Sequence, residues 1–364
     1  TGAGDDPVLI QRNSAAGQGG GFYQNNGDTT LQYVTIGDPT TGDGAADANA
    51  ARNGGGGFYI GSTSGTRTGD LSLTDVTIAQ NNGDADSNDS GIGGGGFRRT
   101  AGDTTLTNVQ VFNNVAGSGG GGLWSDGDFN SGSVATVTNS SFADNVTASG
   151  DAGGLWLENE TITLTNVTIT DNLSAGNSTS EDGGGAYLNA GGTDGVVTLE
   201  NTTITGNRIG GNGGGIYVAG ALTLNSGTVA NNEAGRLGGG LFVFYDLTLG
   251  IDITDNIAGD DGGGFYVNSG SVTITGADDD PVLIQRNSAA GQGGGFYQTS
   301  GDAELTHVLI GDDTTDDGPA DGNAARNGGG GFHIGESTSQ QGDLSLTDVV
   351  IAQNNSDSDS NDSG

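Results

Sequence analysis

Residues 162–172 read Ile-Thr-Leu-Thr-Asn-Val-Thr-Ile-Thr-Asp-Asn. Apolar residues alternate with threonine, an asparagine interrupts, and the alternation resumes until Asn172. A period of two in β-branched residues marks a strand with one buried face, not a helix. The same phrase returns as TLTNVQVFNN at 105–114, VTLENTTITGN at 197–207 and LSLTDVTIAQNN at 71–82. The spacing predicts that Leu164, Val167 and Ile169 point inward. It also predicts that Asn172, Asn207 and Asn256 occupy one phase and form an asparagine ladder at a corner, where stacked amides satisfy backbone groups.

Between these phrases lies a second motif: a run of glycines, an apolar residue, then usually an aromatic. The last glycine of each run stands at 21, 57, 96, 122, 154, 185, 215, 240, 264, 295 and 331. The shortest spacings are 25 and 24 residues, from Gly215 to Gly240 and from Gly240 to Gly264. They read as bare coils, the longer spacings as coils with insertions. No single coil has enough apolar residues to hide its own face, so coils must stack. The expected fold is all-β: a right-handed, single-stranded parallel β-helix of about eleven coils, each with three short strands, rising about 4.8 Å per coil.

A longer period overlies the coils. PVLIQRNSAAGQGGGFYQ at 7–24 returns word for word at 281–298, and ARNGGGGF at 51–58 returns at 325–332. The reading is one continuous solenoid over 1–364, with a 274-residue super-repeat: a full copy at 1–274 and the start of the next at 275–364. Nine coils per super-repeat amount to roughly 43 Å of shaft at strand spacing. The expectation is a segment of a longer array, continued by copies of itself end to end.

Composition narrows the function classes. The net charge is −36, and the nine basic residues are all arginine. Such a surface repels nucleic acid and anionic membranes, and no apolar run is long enough for a membrane-spanning helix. With no cysteine, disulfide scaffolds and thiolate metal sites are excluded. Screening by salt or divalent cations would relieve the self-repulsion.

The glycine-glycine-apolar runs alternating with strands that end in FxxN, here GGA at 184–186 and FADN at 142–145, resemble the repeats of chlamydial polymorphic outer-membrane proteins and of bacterial autotransporter passengers generally. The resemblance is one of fold. It implies a secreted, surface-displayed stalk or adhesin.

Three sets of residues are candidate sites. If the first apolar residue after each glycine run points inward, the next points outward. That outward stripe is Tyr23, Tyr59, Trp124, Trp156, Tyr187, Tyr217, Phe242, Tyr266 and Tyr297, interrupted by Arg98 and His333. It is expected either to stack on itself or to serve for lateral bundling, partner docking or glycan stacking. Acidic insertions with Asp-x-Asp-x-Asn spacing offer oxygen ligands for Ca²⁺: Asp84, Asp86 and Asn88; Asp126, Asp128 and Asn130; Asp357, Asp359 and Asn361. Asn139, Asn145, Asn166, Asn177 and Asn201 begin Asn-x-Ser/Thr triplets. Enzymatic activity is not expected: His307 and His333 replace Tyr33 and Tyr59 of the other internal copy, so a catalytic set can depend on them only if one copy alone is active. The leading expectation is a structural fibre or stalk at the cell surface, the second an adhesin for glycan or host protein, and the third, remotely, a polysaccharide lyase or hydrolase.

Overall fold

The computed structural model describes residues 1–3, 6–40, 48–61, 69–84, 93–100, 102–127, 132–158, 161–176, 178–191, 195–312, 322–335 and 342–356. Its strands stack in parallel, each pairing with its equivalent one coil away, which makes the chain a parallel β-helix. One long face is an 18-stranded sheet, bent along its middle. A second, aromatic face has 11 strands, one after each glycine run. Between them runs a short face of strands two to four residues long.

The bend in the long face falls where the sequence interrupts its alternation. Asp75, Asn108, Asn139, Asn166 and Asn201 all adopt left-handed backbone, with φ between 47° and 55°. Asparagine and aspartate tolerate that conformation best among non-glycine residues. Leu164 and Ile169 on either side of the bend are fully buried, and Val167 is nearly so. Their counterparts in neighbouring coils lie directly above and below, as in Leu164 between Val137 and Leu199. The core is thus a set of apolar columns running along the axis. Phe22, Phe58 and Phe97 form one stack, Phe265, Phe296 and Phe332 another, with rings 4.6–4.9 Å apart.

The asparagine ladder runs through twelve levels, from Asn13 to Asn354. Asn172 shows its chemistry. Its Nδ2 donates to Asn207 Oδ1 at 3.0 Å and to the Phe142 carbonyl at 2.9 Å. Its Oδ1 accepts from the backbone N–H and Nδ2 of Asn145. Each amide therefore satisfies itself and the turn it closes, so a buried polar column is tolerated.

The glycine corner faces this ladder across the short face. A Cβ added at Gly154 would come within 2.8 Å of both the Asn172 amide carbon and the Gly185 carbonyl oxygen. Gly122 and Gly185 meet Asn145 and Asn207 in the same way. The two recurring motifs are one device: asparagine turns the chain inward, and the opposite backbone must lie bare against it.

One inward position breaks the apolar pattern. Arg99 is wholly buried on the aromatic face, and its guanidinium donates to Thr104 Oγ1 and, at 2.8 Å, to Ser125 Oγ. The neighbouring levels place Ile60 and Ser125 there.

Candidate interaction face

The residue after each inward apolar side chain on the aromatic face does point outward, and these side chains stack along the axis. Trp124 and Trp156 lie 4.3 Å apart and nearly parallel, Tyr187 and Tyr217 5.3 Å, Tyr217 and Phe242 4.8 Å, and Phe242 and Tyr266 5.2 Å. Tyr266 and Tyr297 follow at 5.0 Å, and Tyr23 stacks on Tyr59 at 5.2 Å. The two residues that seemed to interrupt the stripe complete it. The Arg98 guanidinium sits 5.7 Å from the Tyr59 ring and 4.7 Å from the Trp124 ring, a cation–π rung. His333 lies over Tyr297 at 4.9 Å.

Direction and access are different properties. Tyr59, Phe242, Tyr266 and Tyr297 are buried, Tyr297 to 1% exposure, although they point away from the axis. Leu237 and Phe244 pack against the Phe242–Tyr266–Tyr297 group, and the Tyr266 hydroxyl shares a hydrogen bond with Thr299. Pointing outward therefore does not by itself make a ring accessible, because side chains beside it can cover it. Trp124, Trp156, Tyr187 and Tyr217 remain half-buried, and Tyr23 is exposed. Along most of the column the ring faces are spent on one another or on Arg98, with Trp156 and Tyr187 tilted by 44°, so mainly ring edges reach solvent.

Two acidic columns flank the accessible part. On one side Asp126, Glu158 and Asn189 stand in register, and Trp156 Nε1 donates to Glu158 Oε2 at 3.1 Å. On the other, the backbone N–H of Asp182 donates to Asp151 Oδ1 at 2.7 Å, and Asn212 Nδ2 donates to Asp182 Oδ1 at 2.8 Å. Burial, reinforced by the charges of Asp182, Glu181 and Glu158, pushes Asp151 up to about 7. Burial likewise raises Asp182 to about 6. Burial and these carboxylates also hold the Tyr187 and Tyr217 hydroxyls above their ordinary range.

Stacked carboxylates recur elsewhere, each with a backbone partner. Asp28 accepts from the backbone N–H of Asp70, Asp70 from that of Asp103, and Asp103 from that of Val134, each at 3.0 Å. Each acid is answered by an amide of the next coil, a partner that sequence reasoning missed because it is backbone. Among the nine expected Ca²⁺ ligands, Asp84 is buried and Asp126 lies at the end of its strand beside Arg98. Asp86, Asn88, Asp128, Asn130, Asp357, Asp359 and Asn361 lie outside the described residues. Among the described residues no group of three His, Cys, Asp or Glu is placed to hold a metal ion.

Of the Asn-x-Ser/Thr triplets, Asn145 is buried in the ladder. Asn139, Asn166 and Asn201 form a second, exposed ladder at the bend, with amide contacts of 2.7–2.8 Å. Asn177 lies outside the described residues. The two histidines stand apart: His307 Nε2 contacts Asp278 at 2.8 Å, and His333 belongs to the aromatic stack. No family model, no curated protein and no solved structure matches this chain.

Proposed function

We propose that this chain is a structural element, the rigid shaft of an extracellular or cell-surface fibre, and that it lengthens by continuing its own coil stack. The observation that carries the reading is the seam between super-repeats. Asn256 of the first copy donates to Asn287 of the second at 3.1 Å, as any two neighbours within a copy do. The outer aromatic column crosses the same seam from Tyr266 to Tyr297, and the inner one from Phe265 to Phe296. A unit whose last coil fits its first as well as any interior coil can be repeated without limit. Exposed carboxylates keep such a shaft soluble, and this role needs no catalytic group. Electron microscopy of the native assembly tests it. Rods lengthening by about 43 Å per super-repeat support the reading, and compact particles in place of rods overturn it.

A second reading, an adhesin, draws on the half-exposed segment from Trp124 to Tyr217 between its two polar columns. Binding on a glycan array that is lost in Trp124→Ala and Trp156→Ala would favour it over a purely mechanical role.

A further inference from the structure

The bent face carries a feature that neither reading uses. On the side of the bend nearer the aromatic face, the outward residues of successive coils are Thr136, Thr163, Thr198, Thr223, Thr248 and Thr273, each paired with the next in strict register. Two residues along, Thr107, Thr138 and Thr165 form a parallel column. Beyond the bend, Thr168, Thr203 and Thr228 make a third. None of these side chains is buried. Among the described residues none of their hydroxyls makes a hydrogen bond with protein, unlike Thr202 or Thr104 nearby. The hydroxyls are therefore left for something outside the molecule.

Geometry sets the spacing of this array. Parallel strands repeat at about 4.8 Å along the axis, and alternate residues lie about 6.6 Å apart along a strand. Threonine is stiff at χ1, so every methyl and hydroxyl in a column is held in a preset orientation. The array is also poor in charge. Across the coils from Thr136 to Thr273 the outward strand positions include Glu200 but are otherwise almost wholly neutral, on a chain of net charge −36. On the side of the bend nearer the aromatic face, the two threonine columns form a nearly uncharged, two-dimensionally periodic strip, a poor site for a single small molecule, which needs a concave pocket. It is suited to another flat periodic surface. Sugar polymers would call for open aromatic ring faces, and here the rings lie on a different face and cover one another. Regular hydroxyls, each both donor and acceptor and interleaved with methyls, can pair with a surface whose own hydrogen-bonding oxygens recur at fixed intervals, as those of ice do.

We propose that the threonine columns of the bent face bind the surface of ice. The inference is independent of the shaft reading, which imaging tests separately. The full chain is added to a slowly growing ice hemisphere, and the fraction incorporated is measured beside its inhibition of ice recrystallisation. Wild-type protein is expected to enter the ice and to halt recrystallisation. Thr163→Tyr with Thr198→Tyr, both outward and so harmless to the core, is expected to lose most of both effects. Glu233→Tyr on the short face should keep them. Circular dichroism confirms that all three remain folded. Exclusion of the wild type from ice overturns the proposal, as does equal uptake of the array variant. Retention on microcrystalline chitin or cellulose without ice uptake would overturn it in favour of a polysaccharide. Array-dependent sedimentation of the protein alone, again without ice uptake, would overturn it in favour of side-by-side packing of copies.

Discussion

Residues 71–79 and 344–352 are nearly the same strand, LSLTDVTIA against LSLTDVVIA, yet they live in different surroundings. In the first, Leu71, Leu73, Val76 and Ile78 are at most 1% exposed, because a strand lies on each side. In the second, Leu344, Leu346 and Ile351 are 44–46% exposed, and among the described residues the strand pairs only with the one at 303–311. The other repeated stretch behaves alike: Val8 is 42% exposed where Val282 is 4%. A coil of this fold therefore has no burial of its own. Its apolar side chains leave water only when the next coil arrives, so stability is a property of neighbouring pairs.

The sharpest break of that comparison is Leu73→Ala against Leu346→Ala. The first leaves a cavity between two coils and should cost about 2–5 kcal/mol. The second trims a half-exposed side chain and should cost under about 1.5 kcal/mol. Denaturant midpoints of the two variants measure the difference, and equal losses would contradict pairwise stabilisation. The polar columns permit a parallel test. Asn172→Ala strands the Phe142 carbonyl and the Asn145 amide inside the stack and should cost about 2–3 kcal/mol. Asn13→Ala, where among the described residues the ladder has a partner on one side only, should cost under about 1 kcal/mol in this 364-residue chain.

A chemical contrast follows between the neutral asparagine corner and the acidic corner at Asp151 and Asp182. Both carboxyls have folded-state values above those of the unfolded chain, so the folded form holds more protons between about pH 4 and 7. Stability should be highest at the acid end of that window and fall as pH rises through it. The drop should be roughly 1–3 kcal/mol after allowance for partial solvent access. Asp151→Asn keeps the acceptor for the Asp182 amide and should flatten the profile, as thermal melts across the range would show. The smallest effect concerns one corner. Ala152 holds φ 55° where the coils on either side place Gly120 and Gly183 at φ 57° and 76°. Ala152→Gly should raise stability by about 0.5–1 kcal/mol, since a left-handed Cβ is strained. Gly183→Ala should lower it, because the added Cβ would approach the Ala186 carbonyl oxygen at 2.1 Å.

The fold was legible because its rules are periodic. Alternation in 162–172 placed Leu164 and Ile169 inward, and Asn172, Asn207 and Asn256 foretold the ladder. The direction of the aromatic side chains could be read too, because a strand leaves only two choices. Their accessibility could not. Tyr297 and Tyr23 follow identical sequence, yet one is buried and the other 45% exposed, since cover comes from residues distant in the chain. Arg98 looked like a gap in the stripe, because cation–π stacking depends on the rings above and below.

Sequence by itself determined the coil: its strands, its left-handed bends, its glycine and asparagine corners, and the period at which they return. These are local matters of backbone conformation and side-chain alternation. Tertiary structure alone decided which outward residues are reachable, which carboxylates are answered by a neighbouring amide, and which threonine hydroxyls are left unpaired. Those properties arise between coils, where partners come from residues some 24 to 42 positions away, as in Asn232–Asn256 and Asp28–Asp70.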